Sequence, residues 1–141
     1  MLFRSFNVDN IIYDPLEQRI NFIDLHRSRH MDYVQDVSVL MVSIYRLRVL
    51  DAPMRANMMQ AILTFYRMAR NFARKQQDDS FELRLTLGLA RSFATSTRFI
   101  LDKAMADRMM LRSRYLMELV LKVNPASAGD FHLPVKDIFV D

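Results

Sequence analysis

Asn7-Val8-Asp9-Asn10-Ile11-Ile12-Tyr13-Asp14 and, after a proline-containing turn, Arg19-Ile20-Asn21-Phe22-Ile23-Asp24-Leu25-His26 are the stretches that decide the fold of this chain. Both are short β-branched and aromatic runs, and Asp14-Pro15-Leu16-Glu17-Gln18 between them holds residues that favour a tight reversal. They predict a β-hairpin. An amide at the start of one strand and a carboxylate at the end of its partner can face one point and offer oxygen ligands to a hard divalent cation. Asn10 and Asp24 are that pair. The same residues have a plainer reading, the Asn as a turn or cap residue and the Asp as a solvated carboxylate, and spacing alone leaves both open.

Beyond residue 33 the period changes to that of helices. Val34, Val37, Val39, Leu40, Ile44 and Leu47 mark a first helix, with Asp32 placed to accept from the unpaired amides of its first turn. It should stop before Asp51-Ala52-Pro53. Pro53 suits the first position of a second helix, whose stripe of Met54, Met58, Ala61, Ile62, Phe65, Ala69 and Phe72 lies opposite a basic face. Gln76-Gln77-Asp78-Asp79-Ser80 is a polar break with Ser80 as the expected cap. Residues 81–101 are apolar on several sides and predict the buried helix. A fourth helix is expected from Asp102 to just before Asn124-Pro125. The tail reads as irregular, and no repeat or low-complexity tract is visible.

The 141 residues suit one domain, and with 51% hydrophobic residues the chain can bury an ordinary core. There is no cysteine, which removes disulfides and thiolate chemistry and favours a reducing, cytoplasmic setting. No signal peptide or membrane span is expected, because the first residues lack an apolar core and no long uncharged apolar run follows. Sixteen arginines and a net charge of +4 invite a nucleic-acid reading, but the basic residues are scattered among sixteen acids without a run, which disfavours it. There are two glycines, Gly88 and Gly129, far apart. No loop able to bring its backbone against nucleotide phosphates is encoded. His132 is isolated, no nucleophile triad is visible, and the eleven methionines read as core filling rather than as a binding groove.

Taken together, Asn10-Ile11-Ile12-Tyr13-Asp14, Phe22-Ile23-Asp24-Leu25-His26 and Asp32-Tyr33-Val34-Gln35-Asp36-Val37 resemble the heart of the aminoglycoside phosphotransferase and choline-kinase-like family. The resemblance spans residues 6 to 123 and is most specific over 7 to 40. It implies an α+β, mainly helical fold, a β-hairpin followed by about four helices, equivalent to an incomplete C-terminal lobe of a protein-kinase-like fold. On that layout residues 1–32 are a catalytic-loop remnant and metal-binding hairpin, 33–124 a helical subdomain and 125–141 a tail.

The resemblance further implies that Asn10 and Asp24 hold the Mg2+ ions of ATP, with Asp32 and Asp36 behind them. Asp36 is either a brace for the catalytic loop or a helix-start acid favoured by the dipole. His26, Arg27 and Arg29 are either a phosphate or substrate contact or a solvated basic loop. Ser5 occupies the position of the family's catalytic Asp, and a serine cannot accept a proton near neutral pH. Asp9 should point elsewhere on an extended backbone. The intact family transfers the γ-phosphate of ATP to a hydroxyl of a small molecule, and this chain alone is expected to be inactive and need hold neither Mg2+ nor ATP. The rival reading is a non-enzymatic helical interaction module. Either way the apolarity of residues 81–101 implies self-association or a covering partner.

Overall fold

The computed structural model describes residues 6–24 and 32–140. A 3-10 turn over Val8–Asn10 leads into β1 (Ile11–Asp14), which pairs antiparallel with β2 (Arg19–Phe22), Ile11 opposite Phe22 and Asp14 opposite Arg19. The expected hairpin is present. Asp14 builds its turn by accepting from the amides of Leu16 (2.9 Å) and Glu17 (3.2 Å), and Gln18 closes it with a left-handed φ of 49°. Two short contacts tie this unit to the helices: the Val8 amide donates to Ser43 Oγ (3.0 Å), and Arg46 pairs with Asp9 (2.9 Å).

Helix α1 runs over Tyr33–Tyr45, and Asp32 caps it by accepting from the Val34 amide at 3.1 Å. Helix α2 spans Ala52–Lys75, capped by Asp51 through the Met54 amide at 2.8 Å, with Pro53 second rather than first in the helix. It ends with Gln77 in the left-handed region (φ 56°) and the Asp78 amide donating back to the Ala73 carbonyl at 3.0 Å. Helix α3 covers Phe81–Ser96, five residues short of the expected end, because the chain tightens into a 3-10 turn over Thr97–Phe99. Helix α4 runs over Lys103–Leu121 from an Asp102 cap.

Ser80 precedes α3 but does not cap it with its side chain. Its hydroxyl instead donates to Asp78 (3.1 Å) and accepts from Arg84 Nε (3.0 Å). The tail is less irregular than its sequence suggests. It forms a 3-10 segment over Pro125–Asp130 and a single helical turn, α5 (Val135–Ile138), and it sends Leu133, Ile138 and Phe139 into the core. Phe139 meets the rings of Tyr45 and Phe93 at 5.9 and 5.8 Å.

Helix α3 lies against α1 and α4, and Leu85, Leu89 and Phe93 are fully buried between them. It buries eight of its sixteen residues, but α1 buries nine of thirteen, and Leu87, Phe99 and Leu101 of the expected helix are exposed, so 81–101 is not the most buried helix. Small residues let the neighbours approach. Ser38 of α1 lies 3.3 Å from Ser92 of α3, hydroxyl to hydroxyl, and Ser113 of α4 donates to the Ala90 carbonyl at 2.7 Å. Gly88 sits at the closest point, where an added Cβ would stand 2.9 Å from Ser38 Oγ and 3.0 Å from Ser38 Cβ. No helix of the described residues is long and apolar enough to cross a membrane.

A second polar contact docks the tail. Glu82, buried at the start of α3, accepts from Tyr66 Oη (2.7 Å), Arg70 Nε (2.8 Å) and the Leu133 amide (3.3 Å). Burial first, and then its bond to Glu82, push the Tyr66 phenol well above its ordinary value, so it stays a donor.

Replacing a mid-helix glycine by alanine ordinarily stabilises by about 1 kcal/mol. At Gly88 the overpacking against fully buried Ser38 costs about 1–3 kcal/mol, so Gly88→Ala should lower stability. Gly129, whose added Cβ would meet only Asp79 Cβ at 3.7 Å, should accept the same change without loss. Urea denaturation midpoints of the two variants check the contrast.

Candidate functional site

The sequence points to the open end of the hairpin, away from its turn. There the Ile23 amide donates to the Asn10 carbonyl at 3.1 Å, extending the pairing one step beyond the strands. Asn10 therefore enters β1 and Asp24 leaves β2 at the same end. Asp24 has a φ of 57°, in the left-handed region, which few residues other than glycine adopt and which clusters at functional positions. Asp tolerates this conformation better than most residues.

Asn7 shares the turn, its carbonyl accepting from the Asn10 amide at 3.1 Å. Its side-chain Oδ1 is buried and has no hydrogen-bond partner among the described residues. A buried acceptor left without a donor is an anomaly that a water or a cation would relieve. Sequence reasoning assigned Asn7 no role, because burial of one amide oxygen is not legible in a string of residues.

Mg2+ commonly takes one or two protein oxygens and completes its shell with waters and phosphate oxygens. The amide of Asn10, the carboxylate of Asp24 and the orphaned oxygen of Asn7 have the donor chemistry that such an ion uses. Among the described residues there is no group of three or more acidic or histidine side chains that could hold a metal unaided. Any ion here would depend on its ligand's own oxygens.

The two acids around the start of α1 differ in their surroundings. Asp32 is accounted for by its cap on α1 and by an ion pair with Arg84. Asp36, in the first turn, is buried at 8% exposure and is not without an interaction partner. A carboxylate favoured only by the helix dipole needs no burial, whereas a buried one must be paired. Asp9 accepts from Arg46 at 2.9 Å, and it lies in a 3-10 turn and not on the expected extended backbone. Ser5, His26, Arg27 and Arg29 lie outside the described residues.

Arg84 is a residue that pattern reading missed. It joins Asp32 to Asp78, whose carboxylate also accepts from Tyr33 Oη at 2.5 Å. Tyr33 in turn stacks on Phe81 and meets Phe72 edge-on. This cluster clamps the start of α1 to the α2–α3 connection and so orients the segment that carries Asp36. The four-position spacing of Ser80 and Arg84 was a faint signal, but the contact with Asp32 spans 52 positions.

No family model, curated protein or solved structure matches this chain.

Burial works to raise the Asp78 carboxyl, but the hydrogen bonds from Tyr33 and Ser80 and the charge of Arg84 outweigh it and hold the group below its ordinary value of 3.8. A carboxyl that ionises more readily when folded contributes stability that is complete above the unfolded value and is lost as pH falls through the folded one. Asp78→Asn should therefore lower the urea midpoint at pH 7, and the gap from the parent protein should narrow below about pH 3.8. Denaturation curves of both proteins across that range measure it.

Proposed function

We propose that this chain is the metal-holding and helical C-terminal part of a small-molecule kinase of the aminoglycoside phosphotransferase and choline-kinase-like type, and that alone it does not catalyse. The observation that carries the reading is the open end of the hairpin. The Ile23–Asn10 backbone bond brings the chain before β1 and the chain after β2 to the same end of the hairpin, and Asp24 holds a left-handed conformation. The orphaned Asn7 oxygen in the same turn adds to it. Asn10 and Asp24 would hold Mg2+, which when bound neutralises and orients the phosphates of ATP.

The burial of Asp36 favours the brace over the dipole-favoured helix start, and Asp32 serves the helix itself. The expectation of inactivity rests on chemistry missing from the sequence. Ser5 has no carboxylate to accept a proton, Asp9 is engaged by Arg46, and the two glycines cannot form a nucleotide loop. Phosphoryl transfer depends almost wholly on positioning and electrostatic stabilisation, so two or three oxygens in an open groove are insufficient. A cytoplasmic setting, where ATP and reduced thiols prevail, suits both this reading and the lack of cysteine.

Calorimetric titration with ATP in the presence and absence of Mg2+ tests the reading. Weak binding that requires Mg2+ and disappears in Asp24→Ala, without measurable turnover, is expected. Binding that ignores both the metal and the substitution would overturn it.

A second reading, a non-enzymatic helical interaction module, is favoured by exposed apolar side chains. Tyr13, Ile20 and Phe22 lie on one face of the hairpin, and Leu111 and Leu121 stand out from α4. It predicts self-association in sedimentation at micromolar concentration; a stable monomer that excludes hydrophobic dye would count against it.

A further inference from the structure

An open cleft of about 570 Å3 lies where the α1–α2 connection faces the α3–α4 connection. Among the described residues its lining includes five arginines, Arg46, Arg48, Arg55, Arg108 and Arg112, and one acid, Asp102. Asp102 is occupied in capping α4, accepting from the Met105 amide at 3.1 Å. The arginines come from the α1–α2 connection, α2 and α4, so the cluster is a product of packing and not of any run in the sequence.

These five groups divide by what they already do. Arg55 donates to the Tyr45 and Leu47 carbonyls at 2.8 and 3.2 Å, and Arg112 to those of Ile138 and Val140 at 2.7 and 3.1 Å. Both guanidiniums lie over the Tyr45 ring, each 4.9 Å from its centre. Carbonyls and a ring face fix the positions of both groups. Arg46 is partly offset by Asp9.

Arg48 and Arg108 are different. Both are exposed, and neither pairs with a carboxylate among the described residues; the one side-chain contact is from Arg108 Nη2 to Met105 Sδ at 3.5 Å. Like charges lining one concavity repel, and low-dielectric walls focus their field on any anion entering it. The cleft also has an apolar side, with Phe99 and the exposed Leu50 and Leu101 at its lining. Its volume is within the range of small-molecule sites.

We propose that this cleft binds a small organic phosphomonoester, its phosphate taken by Arg48 and Arg108 and its apolar body lying against Phe99, Leu50 and Leu101. A guanidinium fork matches phosphate oxygens bidentately, and a dianion answers two uncompensated cations better than a carboxylate does. Arg112, held by the carbonyls of Ile138 and Val140, adds positive charge to the floor. The site is separate from Asn10 and Asp24 and requires no metal.

Phenyl phosphate is the probe, titrated calorimetrically into the full chain in magnesium-free, low-salt buffer so that the hairpin end contributes nothing. Saturable binding of one molecule per chain, with Kd on the order of 1 mM or tighter, is expected. Arg48→Gln combined with Arg108→Gln should weaken it at least about tenfold with unchanged circular dichroism. The same charge removed elsewhere, by Arg91→Gln with Arg114→Gln, should leave it within about twofold. Benzoate should bind more weakly than phenyl phosphate. Absence of saturation, undiminished affinity in the cleft variant, equal loss in the distant variant, or tighter binding of benzoate would each overturn the proposal.

Discussion

The burial of α3 between α1 and α4 is the constraint on which the rest of the molecule depends. A helix covered by two neighbours needs a broad buried stripe, and Phe81, Leu85, Leu89 and Phe93, four residues apart, form one that Ala90 widens. It must also admit its neighbours closely, which large side chains at every contact would prevent. Gly88, Ser92 and Ala90 meet Ser38 and Ser113 there, and the hydroxyls satisfy one another or nearby carbonyls. The small residues set the distance, and the large ones fill the space that this distance leaves.

Two polar clusters then decide how the connections lie on this helical frame. Glu82 gathers Tyr66, Arg70 and the Leu133 amide, joining α2, α3 and the tail through one buried carboxylate. Arg84, two residues on, joins Asp32 to Asp78 and borders Tyr33. Each cluster is favourable because its members are jointly satisfied; a single one left alone in the interior would be costly. The hairpin is held more lightly, by Ser43 and Arg46 of the α1 end, and much of its apolar surface stays open.

Legibility followed range. The hairpin was readable because short β-branched and aromatic runs flank a Pro-containing turn, and α1, α2 and α4 because their starts are marked nearby by Asp32, Pro53 and Asp102. The end of α3 was misread: continued apolarity through Leu101 masked the 3-10 turn at Thr97–Phe99. The tail was misread for the opposite reason, since its few apolar residues have no period and earn burial only by meeting Tyr45 and Phe93. At the candidate site, Asn10 and Asp24 could be named from a strand's beginning and end. The orphaned oxygen of Asn7 and the left-handed turn at Asp24 could not.

By itself the amino-acid sequence determined the hairpin and the order of the four helices after it, the Asp32 cap, and the absence of any glycine-rich phosphate loop. Those features are governed by neighbouring residues, through backbone sterics and hydrogen bonds that close within a turn. Only the tertiary structure decided which charges stand together. Arginines that look evenly dispersed along the chain converge, five of them, on one cleft, while Arg84 is held between Asp32 and Asp78. Coulomb interactions act through space and not along the backbone, so their balance emerges only when the helices have packed.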